Sequence, residues 1–391
     1  MKYNFDKVID RSGTSAEKVE GLKHIWGRTD LIPLWVADMD FATAPFVTDA
    51  IRKRCENEVL GYTGKPDSYY NAIINWVKQR YDLIVTKEVI NFVPGIVPGI
   101  GMAMNCFTQK GDKVMIQPPV YHPFAWVTTR NERTLVINPL KWENGMYRMD
   151  LDAFREQIKG CKLFILCNPH NPGGVVWTEA ELRAIADICY DEKVLVFSDE
   201  IHADLTLPPH THRPFATVSE KARMNSVTFM SPSKAFNMPG LSASHALIFN
   251  EDLRKRFRIY MDAGELDMGH VFAFLSVEAA YSHGTEWLDQ CLAYIQGNID
   301  FVDEFLKKHA PKIKAIRPEA SYLVWLDCRE LELSQKDLNE FFVDKAHLAL
   351  NDGEMFGKEG IGFMRLNVAS PRCIIDKAMK QLADAYQLYI K

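Results

Sequence analysis

Short apolar runs alternate with helical patterns along the middle of the chain. Seven runs dominated by valine, isoleucine and phenylalanine occupy residues 89–93, 113–117, 134–137, 162–167, 194–198, 226–230 and 244–249. Apolar residues at helical spacing fill stretches between them, at residues 96–107, 151–158 and 178–190. This alternation predicts strand–helix–strand crossovers. We therefore expect an α/β fold with a mostly parallel seven-stranded sheet flanked by helices, and ligands beyond the carboxyl ends of its strands.

The two ends of the chain show other patterns. Pro45 opens one helical pattern, and residues 69–81 form a second. After about residue 285 comes a long amphipathic helix over residues 288–306, followed by strand-like runs and a last helix. We predict a large domain over residues 45–285. A smaller α+β domain would combine residues 286–391 with residues 1–44.

Composition narrows the class of protein. The 391 residues are 47% hydrophobic and 25% charged, and 46 lysines and arginines face 51 acidic residues without a long basic run. Nucleic acid and anionic membranes are therefore poor candidates for partners. No stretch approaches the roughly 18 apolar residues of a membrane span, and the first residues lack the apolar core of a secretory signal.

The eight cysteines point to a reducing compartment. They are scattered singly and none forms a Cys-x-x-Cys pair. That usage is typical of reduced thiols, so we expect a cytoplasmic protein with neither disulfides nor a bound metal.

Several familiar motifs fail on inspection. The glycine-rich segment 94–101 is followed by Met104 where a dinucleotide fingerprint needs glycine or alanine. His210 and His212 have no further ligand at metal-binding spacing, which favours a surface loop. Ser231 and Lys234 match the Ser-x-x-Lys motif of penicillin-binding proteins, but the accompanying Lys-Thr-Gly is absent.

Three polar groups follow three of the predicted strands. Asn171 lies in the turn Asn-Pro-His-Asn-Pro-Gly-Gly after residues 162–167, Asp199 follows residues 194–198, and Lys234 follows residues 226–230. An amide, a carboxylate and an amine should thus meet at one edge of the sheet. From Asp199 and Lys234 alone, a structural ion pair is as good an interpretation as a catalytic site. The two prolines and two glycines around Asn171 fix the backbone of this turn, which favours a functional site over a structural ion pair.

A family resemblance rests on five segments in this order along the chain: 33–41, 118–124, 168–174, 198–202 and 233–237. Over essentially its whole length the sequence resembles the fold type I enzymes that use pyridoxal 5′-phosphate (PLP), in the class I/II aminotransferase group. Within that group it resembles the MalY/PatB-type cysteine-S-conjugate β-lyases, also called cystathionine β-lyases. The resemblance implies a fold type I PLP-dependent transferase fold, with PLP as the cofactor.

The resemblance assigns roles around the cofactor ring. Lys234 would hold PLP covalently and, once an amino acid displaces it, act as the base that removes the Cα proton. Asp199 would keep the pyridine nitrogen protonated, because an ionised carboxylate favours a cation beside it. Asn171 and His202 would bond the phenolic oxygen. Tyr121 would stack on the ring and assist catalysis.

The phosphate would lie at the start of a helix. Backbone N–H groups of Ile96 and Val97 attract an anion there, and the hydroxyls of Ser231 and Ser233 would add donors. Ser242 stands where many aminotransferases carry an arginine, so other donors are expected to hold the phosphate.

Substrate binding and assembly are implied in the same way. Arg365 would grip the substrate α-carboxylate in a planar pair of hydrogen bonds, with Asn171 and the backbone of Ala37 beside it. Tyr62 resembles the tyrosine that reaches the phosphate of the neighbouring subunit. The resemblance therefore implies a homodimer with shared active sites and a small amino-acid substrate.

The expected function is a PLP-dependent carbon–sulfur β-lyase. It would cleave L-cystathionine or related cysteine S-conjugates by α,β-elimination to a thiol such as homocysteine, pyruvate and ammonia. Two alternatives stay open. The same residues serve an aminotransferase, and a regulatory protein could keep the fold while using its surface to bind a partner.

Overall fold

The computed structural model describes residues 2–389. Its helices are α1 (Glu17–Trp26), α2 (Pro45–Cys55), α3 (Asp67–Tyr81), α4 (Ile96–Phe107), α5 (Pro123–Arg130), α6 (Leu151–Gln157), α7 (Glu179–Asp191), α8 (Glu220–Met224), α9 (Glu251–Asp262), α10 (Val271–His283), α11 (Thr285–His309), α12 (Gln335–Glu340) and α13 (Arg372–Tyr389). Its strands are β1 (Ile32–Pro33), β2 (Ile90–Val93), β3 (Lys113–Ile116), β4 (Thr134–Ile137), β5 (Lys141–Glu143), β6 (Met146–Arg148), β7 (Cys161–Cys167), β8 (Leu195–Asp199), β9 (Ser226–Met230), β10 (Ser244–Leu247), β11 (Lys314–Ile316), β12 (Leu323–Asp327), β13 (Leu348–Ala349), β14 (Asn351–Asp352) and β15 (Phe363–Asn367).

The seven predicted central strands form one sheet in the order β2-β10-β9-β8-β7-β3-β4. The pairs of β7 with β3, of β7 with β8 and of β8 with β9 are parallel, and β10 runs antiparallel to both neighbours. Strands β7, β8 and β9 are adjacent, so the turns after them leave the sheet at one edge. The mostly parallel seven-stranded sheet is confirmed.

Helices cover both faces of this sheet because its strands are apolar on both sides. Leu163 and Ile165 of β7 pack in a cluster with α4 and α9, whereas Phe164 and Leu166 pack with α6 and α7. Alternate side chains of a strand point to opposite faces, which accounts for the split. The β-rich runs were recognisable in the sequence because both faces are buried.

A second sheet, in the order β11-β12-β15-β14, lies in the C-terminal part of the chain. The N-terminal segment joins this part through the parallel pair β1–β13, in which Ile32 lies opposite Leu348. One buried cluster runs from Phe5 through Phe274 to Leu382, so packing is continuous between the two predicted domains. The boundaries at residues 44/45 and 285/286 stay a prediction.

Within residues 2–389, none of the helices has the length and apolar character needed to cross a membrane.

Candidate active site

A cavity of about 210 Å³ opens beyond the carboxyl ends of β7, β8 and β9, beside the start of α4. Five parts of the chain line it: the N-terminal segment, the first turn of α4, the segment between β3 and α5, the three strand ends, and the turn before β10. Nine of the predicted site residues line its wall: Ala37, Ile96, Val97, Tyr121, Asn171, Asp199, His202, Ser233 and Lys234. The expectation that amide, carboxylate and amine meet at one edge of the sheet agrees with this geometry.

Lys234 lies in the turn after β9 and is partly buried in the cavity wall. Its Nζ donates a hydrogen bond to the backbone carbonyl of Ala37, 2.5 Å away. Burial lowers the pKa of the Lys234 amine to about 8, and the nearby charges of Asp38 and Asp199 offset only part of that effect. An amine near this pKa can lose a proton at little cost close to neutral pH.

Asp199 is the last residue of β8 and is 3% exposed. Its Oδ1 accepts a hydrogen bond from the backbone N–H of Ile201 at 3.0 Å. Burial raises the pKa of the Asp199 carboxyl to about 7, and the charge of Lys234 lowers it by a lesser amount. A carboxyl with this pKa would gain from a cationic partner inside the cavity.

His202 and Asn171 face the same cavity from neighbouring turns. His202 is 4% exposed, and its Nδ1 is buried without a hydrogen-bond partner among the described residues. Burial lowers the pKa of His202 to about 3, so its imidazole is neutral at physiological pH. A buried polar atom without a partner is uncommon, and a bound ligand is one way to satisfy it.

The start of α4 provides a site for an anion. The first-turn N–H groups of a helix have no acceptor within the helix, and its dipole favours negative charge there. Gly95 precedes the helix with a φ of 144°, a conformation that glycine adopts easily and that residues with a side chain rarely adopt. Ser242, at the position where many aminotransferases carry an arginine, also lines the cavity, and so does Ser244.

Ser231 departs from its predicted place. It does not line the cavity, and its Oγ donates to the carbonyl of Ala243 at 2.7 Å. The same oxygen accepts a hydrogen bond from the backbone N–H of Ser233. Ser231 therefore supports Ser233 from behind, and of the two predicted hydroxyls only that of Ser233 reaches the wall.

Arg365 lies on β15 beside the cavity, although outside its wall, and is 3% exposed. Its guanidinium donates to the Oδ1 atoms of Asn171 (3.1 Å) and Asn351 (2.5 Å), and Phe356 lies under it at 4.8 Å. Burial lowers the pKa of Arg365 to about 10. These contacts are with neutral groups, so the buried cation can still accept an anion.

Tyr62 and Tyr121 occupy opposite environments. Tyr62 is 98% exposed and does not line the cavity of its own chain. Tyr121 lines the cavity, and burial raises the pKa of its hydroxyl, which stays protonated at neutral pH. A single chain therefore brings Tyr121, and not Tyr62, to this site.

Sequence reasoning missed the residues that hold the cavity wall from outside. Tyr322 donates from its hydroxyl to the carbonyl of Ala37 at 2.9 Å, and Asn351 bonds Arg365 from the neighbouring strand. Asn237 bonds the backbone of Met39 and Phe41. Asn237 was within a segment that carried the family resemblance. Tyr322 and Asn351 gave no signal, because their roles depend on strand pairing.

His212 corrects another expectation. The pair His210 and His212 was expected in a surface loop, and His210 is exposed. His212, however, is 4% exposed, and its Nε2 lies 2.8 Å from Oε2 of Glu200. A buried carboxylate provides the partner that allows a histidine to leave the surface.

The cavity has the chemical groups that PLP requires. An amine is available for its aldehyde, a buried carboxyl for its pyridine nitrogen, an unpartnered imidazole nitrogen for its phenolic oxygen, and a helix start for its phosphate. The residues present fit this cofactor.

Comparisons with known proteins agree with one another. The family model described as "Aminotransferase class I and II" matches residues 29–382. Cystathionine beta-lyase PatB of Bacillus subtilis (strain 168) is 38% identical over 384 residues, which cover 98% of this chain and 99% of PatB. Protein MalY of Escherichia coli (strain K12) is 30% identical over 387 residues, 98% of each chain. The crystal structure of the PLP-bound C-S lyase from Staphylococcus hominis superposes with a TM-score of 0.91 at 35% identity, covering 99% of this chain and 98% of that one.

Proposed function

The chain belongs to the class I and II aminotransferase family, and we propose that it is a PLP-dependent carbon–sulfur β-lyase. Its substrates are L-cystathionine or related cysteine S-conjugates, and its products are a thiol, pyruvate and ammonia. The observation that carries the proposal is the 38% identity to a cystathionine β-lyase over nearly the whole of both chains. The cavity supports it, because the residues proposed to hold the cofactor ring line its wall and Arg365 lies beside it.

Five residues would hold the cofactor ring. Lys234 is the covalent attachment point, and Asp199 holds a proton on the pyridine nitrogen. Asn171 and His202 bond the phenolic oxygen, and Tyr121 packs against the ring. When bound, PLP supplies a conjugated system that accepts the electrons left at the substrate Cα.

The phosphate would be held by the N–H groups of Ile96 and Val97 and by the hydroxyl of Ser233. Their place in the cavity wall supports this assignment. Ser231 acts indirectly, by accepting a hydrogen bond from the N–H of Ser233. Ser242 supplies a hydroxyl in place of a missing arginine, so we expect weaker binding of the phosphate charge at that corner.

The protein's own groups then carry the proton. Arg365 binds the substrate α-carboxylate, with Asn171 and the backbone of Ala37 beside it, and this fixes the direction of the Cα–H bond. The free amine of Lys234 takes the Cα proton. The Cβ–S bond breaks, and Lys234 or Tyr121 returns a proton to the leaving sulfur. Water completes the conversion of the remaining fragment to pyruvate and ammonia.

The assembly we propose is a homodimer with shared sites. Tyr62 is exposed on a segment that carries the exposed apolar residues Val59 and Leu60, which favours burial against a second copy. Tyr62 of that copy would reach the phosphate. A cytoplasmic location stays a prediction.

An aminotransferase is the second candidate, because the matching family model carries that description. Both reactions begin with removal of the same Cα proton. They differ in where the proton returns and in whether a β-substituent leaves.

Steady-state rates over a panel of substrates test the proposal. Purified holoenzyme should release pyruvate from cystathionine, cystine or cysteine, together with homocysteine, thiocysteine or sulfide respectively. These reactions should be faster than its transfer of amino groups from a set of amino donors to a keto acid. Transamination without release of thiol would contradict the lyase function and favour the second candidate.

A further inference from the structure

A buried carboxylate–imidazole pair lies directly behind the proposed pyridine-nitrogen partner. We propose that Glu200 and His212 are positioning residues that hold the Asp199 carboxylate in the direction of the cofactor. This inference rests on the proposed function, because it assumes that Asp199 contacts the pyridine nitrogen. Neither Glu200 nor His212 lines the cavity, so any effect on the cofactor must pass through Asp199 and its backbone.

Glu200 is fastened on the side of β8 away from the cavity. Its side chain is fully buried, and its Oε1 accepts hydrogen bonds from Ser198 Oγ and from the backbone N–H of Phe215, both at 2.8 Å. Its Oε2 lies 2.8 Å from Nε2 of His212, which donates the third hydrogen bond. Without these donors, a buried carboxylate would be strongly unfavourable.

The backbone around Asp199 is fixed by neighbouring strands. The carbonyl of Asp199 accepts from the N–H of Asn168, and the N–H of Glu200 donates to the carbonyl of Phe229, both at 2.9 Å. These backbone hydrogen bonds fix the path of the chain at Asp199 and Glu200. The three hydrogen bonds to the Glu200 side chain keep the backbone from rotating about its own direction there. The Asp199 side chain is thereby directed into the cavity.

His212 connects the Glu200 side chain to helix α3. Its ring meets the edge of the Tyr81 ring at 5.5 Å, and the Tyr81 hydroxyl bonds Asp204. Asp204 also accepts a hydrogen bond from the Trp76 indole at 3.0 Å. Hydrogen bonds and one ring contact therefore join a helix on the flank of the sheet to the end of β8.

If Glu200 and His212 served only to stabilise the fold, a buried ionic pair would not be required. Well-packed apolar residues often replace a buried ionic pair without loss of stability. Glu200 is adjacent in sequence to Asp199, and its three donors come from β8 itself, through Ser198, and from the segment 212–215, through His212 and Phe215. That arrangement would hold the Asp199 carboxyl group in one direction, as a hydrogen bond to the ring nitrogen of the cofactor requires.

The test compares His212→Phe with wild type as holoenzymes. Phenylalanine keeps the ring against Tyr81 and removes the donor to Glu200. We expect the affinity for PLP to fall about tenfold, the usual scale of coupling between neighbouring buried groups. With PLP labelled with ¹⁵N in the ring, the nitrogen signal should shift from the protonated towards the unprotonated position. His212→Gln, which offers an N–H in place of Nε2, should restore most of both properties.

Two controls separate positioning from general damage to the core. His245 is fully buried on β10, and neither of its ring nitrogens has a hydrogen-bond partner in the part of the chain that the structure describes. His245→Phe therefore changes a histidine without removing a hydrogen bond seen there. It should leave the ¹⁵N signal unchanged. A PLP analogue with carbon in place of the ring nitrogen gives Asp199 nothing to hold, so His212→Phe should bind it as well as wild type does.

Three results would overturn the inference. The first is an unchanged ¹⁵N signal and PLP affinity in His212→Phe. The second is an equal loss of affinity for PLP and for the carbon analogue, since that would show a structural effect only. A wild-type protein that binds no PLP would contradict the proposed function itself, and the positioning role with it.

Discussion

At the scale of single residues, the cavity combines groups whose protonation the protein has altered in opposite senses. Burial lowers the pKa of the Lys234 amine to about 8 and raises that of the Asp199 carboxyl to about 7. A larger fraction of the lysine is therefore the free amine near neutral pH, and the carboxyl becomes dependent on a cationic partner. Shifts of this kind cluster at functional sites.

The Lys234 pKa predicts how stability depends on pH. Between about pH 8 and 10.5 the unfolded lysine binds a proton that the folded one has lost, so the unfolding free energy rises with pH. In the cofactor-free protein, Lys234→Met should abolish this rise and should be more stable than wild type below pH 8. The difference is at most about 3 kcal/mol, less where cavity water solvates the amine. Urea unfolding at several pH values measures it, and a difference that is constant with pH would contradict the prediction.

Asn351 predicts a separate effect on substrate binding. It bonds Nη2 of Arg365 from the facing strand and is 7% exposed. In Asn351→Ala the guanidinium loses an acceptor that orients it, so KM for cystathionine should rise about tenfold while kcat changes less. Asn351→Asp keeps the bond but neutralises the cation, and it should raise KM further. An unchanged KM in both variants would show that Asn351 has no role in binding.

At the scale of elements, the turn that carries Lys234 is tied to the N-terminal segment. Asn237 accepts a hydrogen bond from the N–H of Met39 and donates to the carbonyls of Met39 and Phe41. The hydroxyl of Tyr322, the residue before β12, donates a hydrogen bond to the carbonyl of Ala37. The wall opposite the strand ends is thus assembled from three distant parts of the chain.

Removing the Asn237 side chain should loosen that wall. Asn237→Gly loses three hydrogen bonds, and we expect the unfolding free energy to fall by about 2 kcal/mol and amide exchange at residues 37–41 to quicken. Asn237 has a φ of 53°, so Asn237→Ala should cost about 1 kcal/mol more than glycine. Unchanged exchange at residues 37–41 in the glycine variant would mean that other contacts hold the segment.

Elements with a clear period were predictable, and elements made by tertiary contacts were not. The strand over residues 226–230 and helix α4 match the expected bounds. Helix α10 was not predicted because buried residues lie on all its sides, so the sequence has no polar face that would reveal a helical period. The hairpin β5–β6 has only three residues in each strand, too few for a pattern. His212 was misjudged because its partner, Glu200, is supplied by the fold.

At the scale of the whole molecule, the site as described within residues 2–389 contains the ring-binding groups but not Tyr62. That tyrosine is 98% exposed on its own chain. A second copy of the chain would bring it to the phosphate, and the family resemblance alone suggested this role. The role of Tyr62 can therefore be tested separately from the ring-binding groups.

Subunit complementation provides that test. Lys234→Ala and Tyr62→Ala homodimers should each have low activity, but in a mixed dimer one of the two sites is intact. Co-expression with random pairing should therefore restore about a quarter of the wild-type activity, because half of the dimers are mixed. Tyr62→Phe should show whether the hydroxyl is the contributing group. Activity no greater than the mean of the two parents would contradict shared sites.

The fate of the substrate nitrogen tests the central claim most directly. Holoenzyme would be given L-cystathionine labelled with ¹⁵N at the amino group of its cysteine-derived half, together with an added keto acid. A β-lyase should produce ¹⁵N-ammonia, pyruvate and homocysteine in equal amounts, with no label in the amino acid made from the keto acid. Label that accumulates in that amino acid, with cystathionine's C–S bond intact, would contradict the assignment of the chain as a β-lyase.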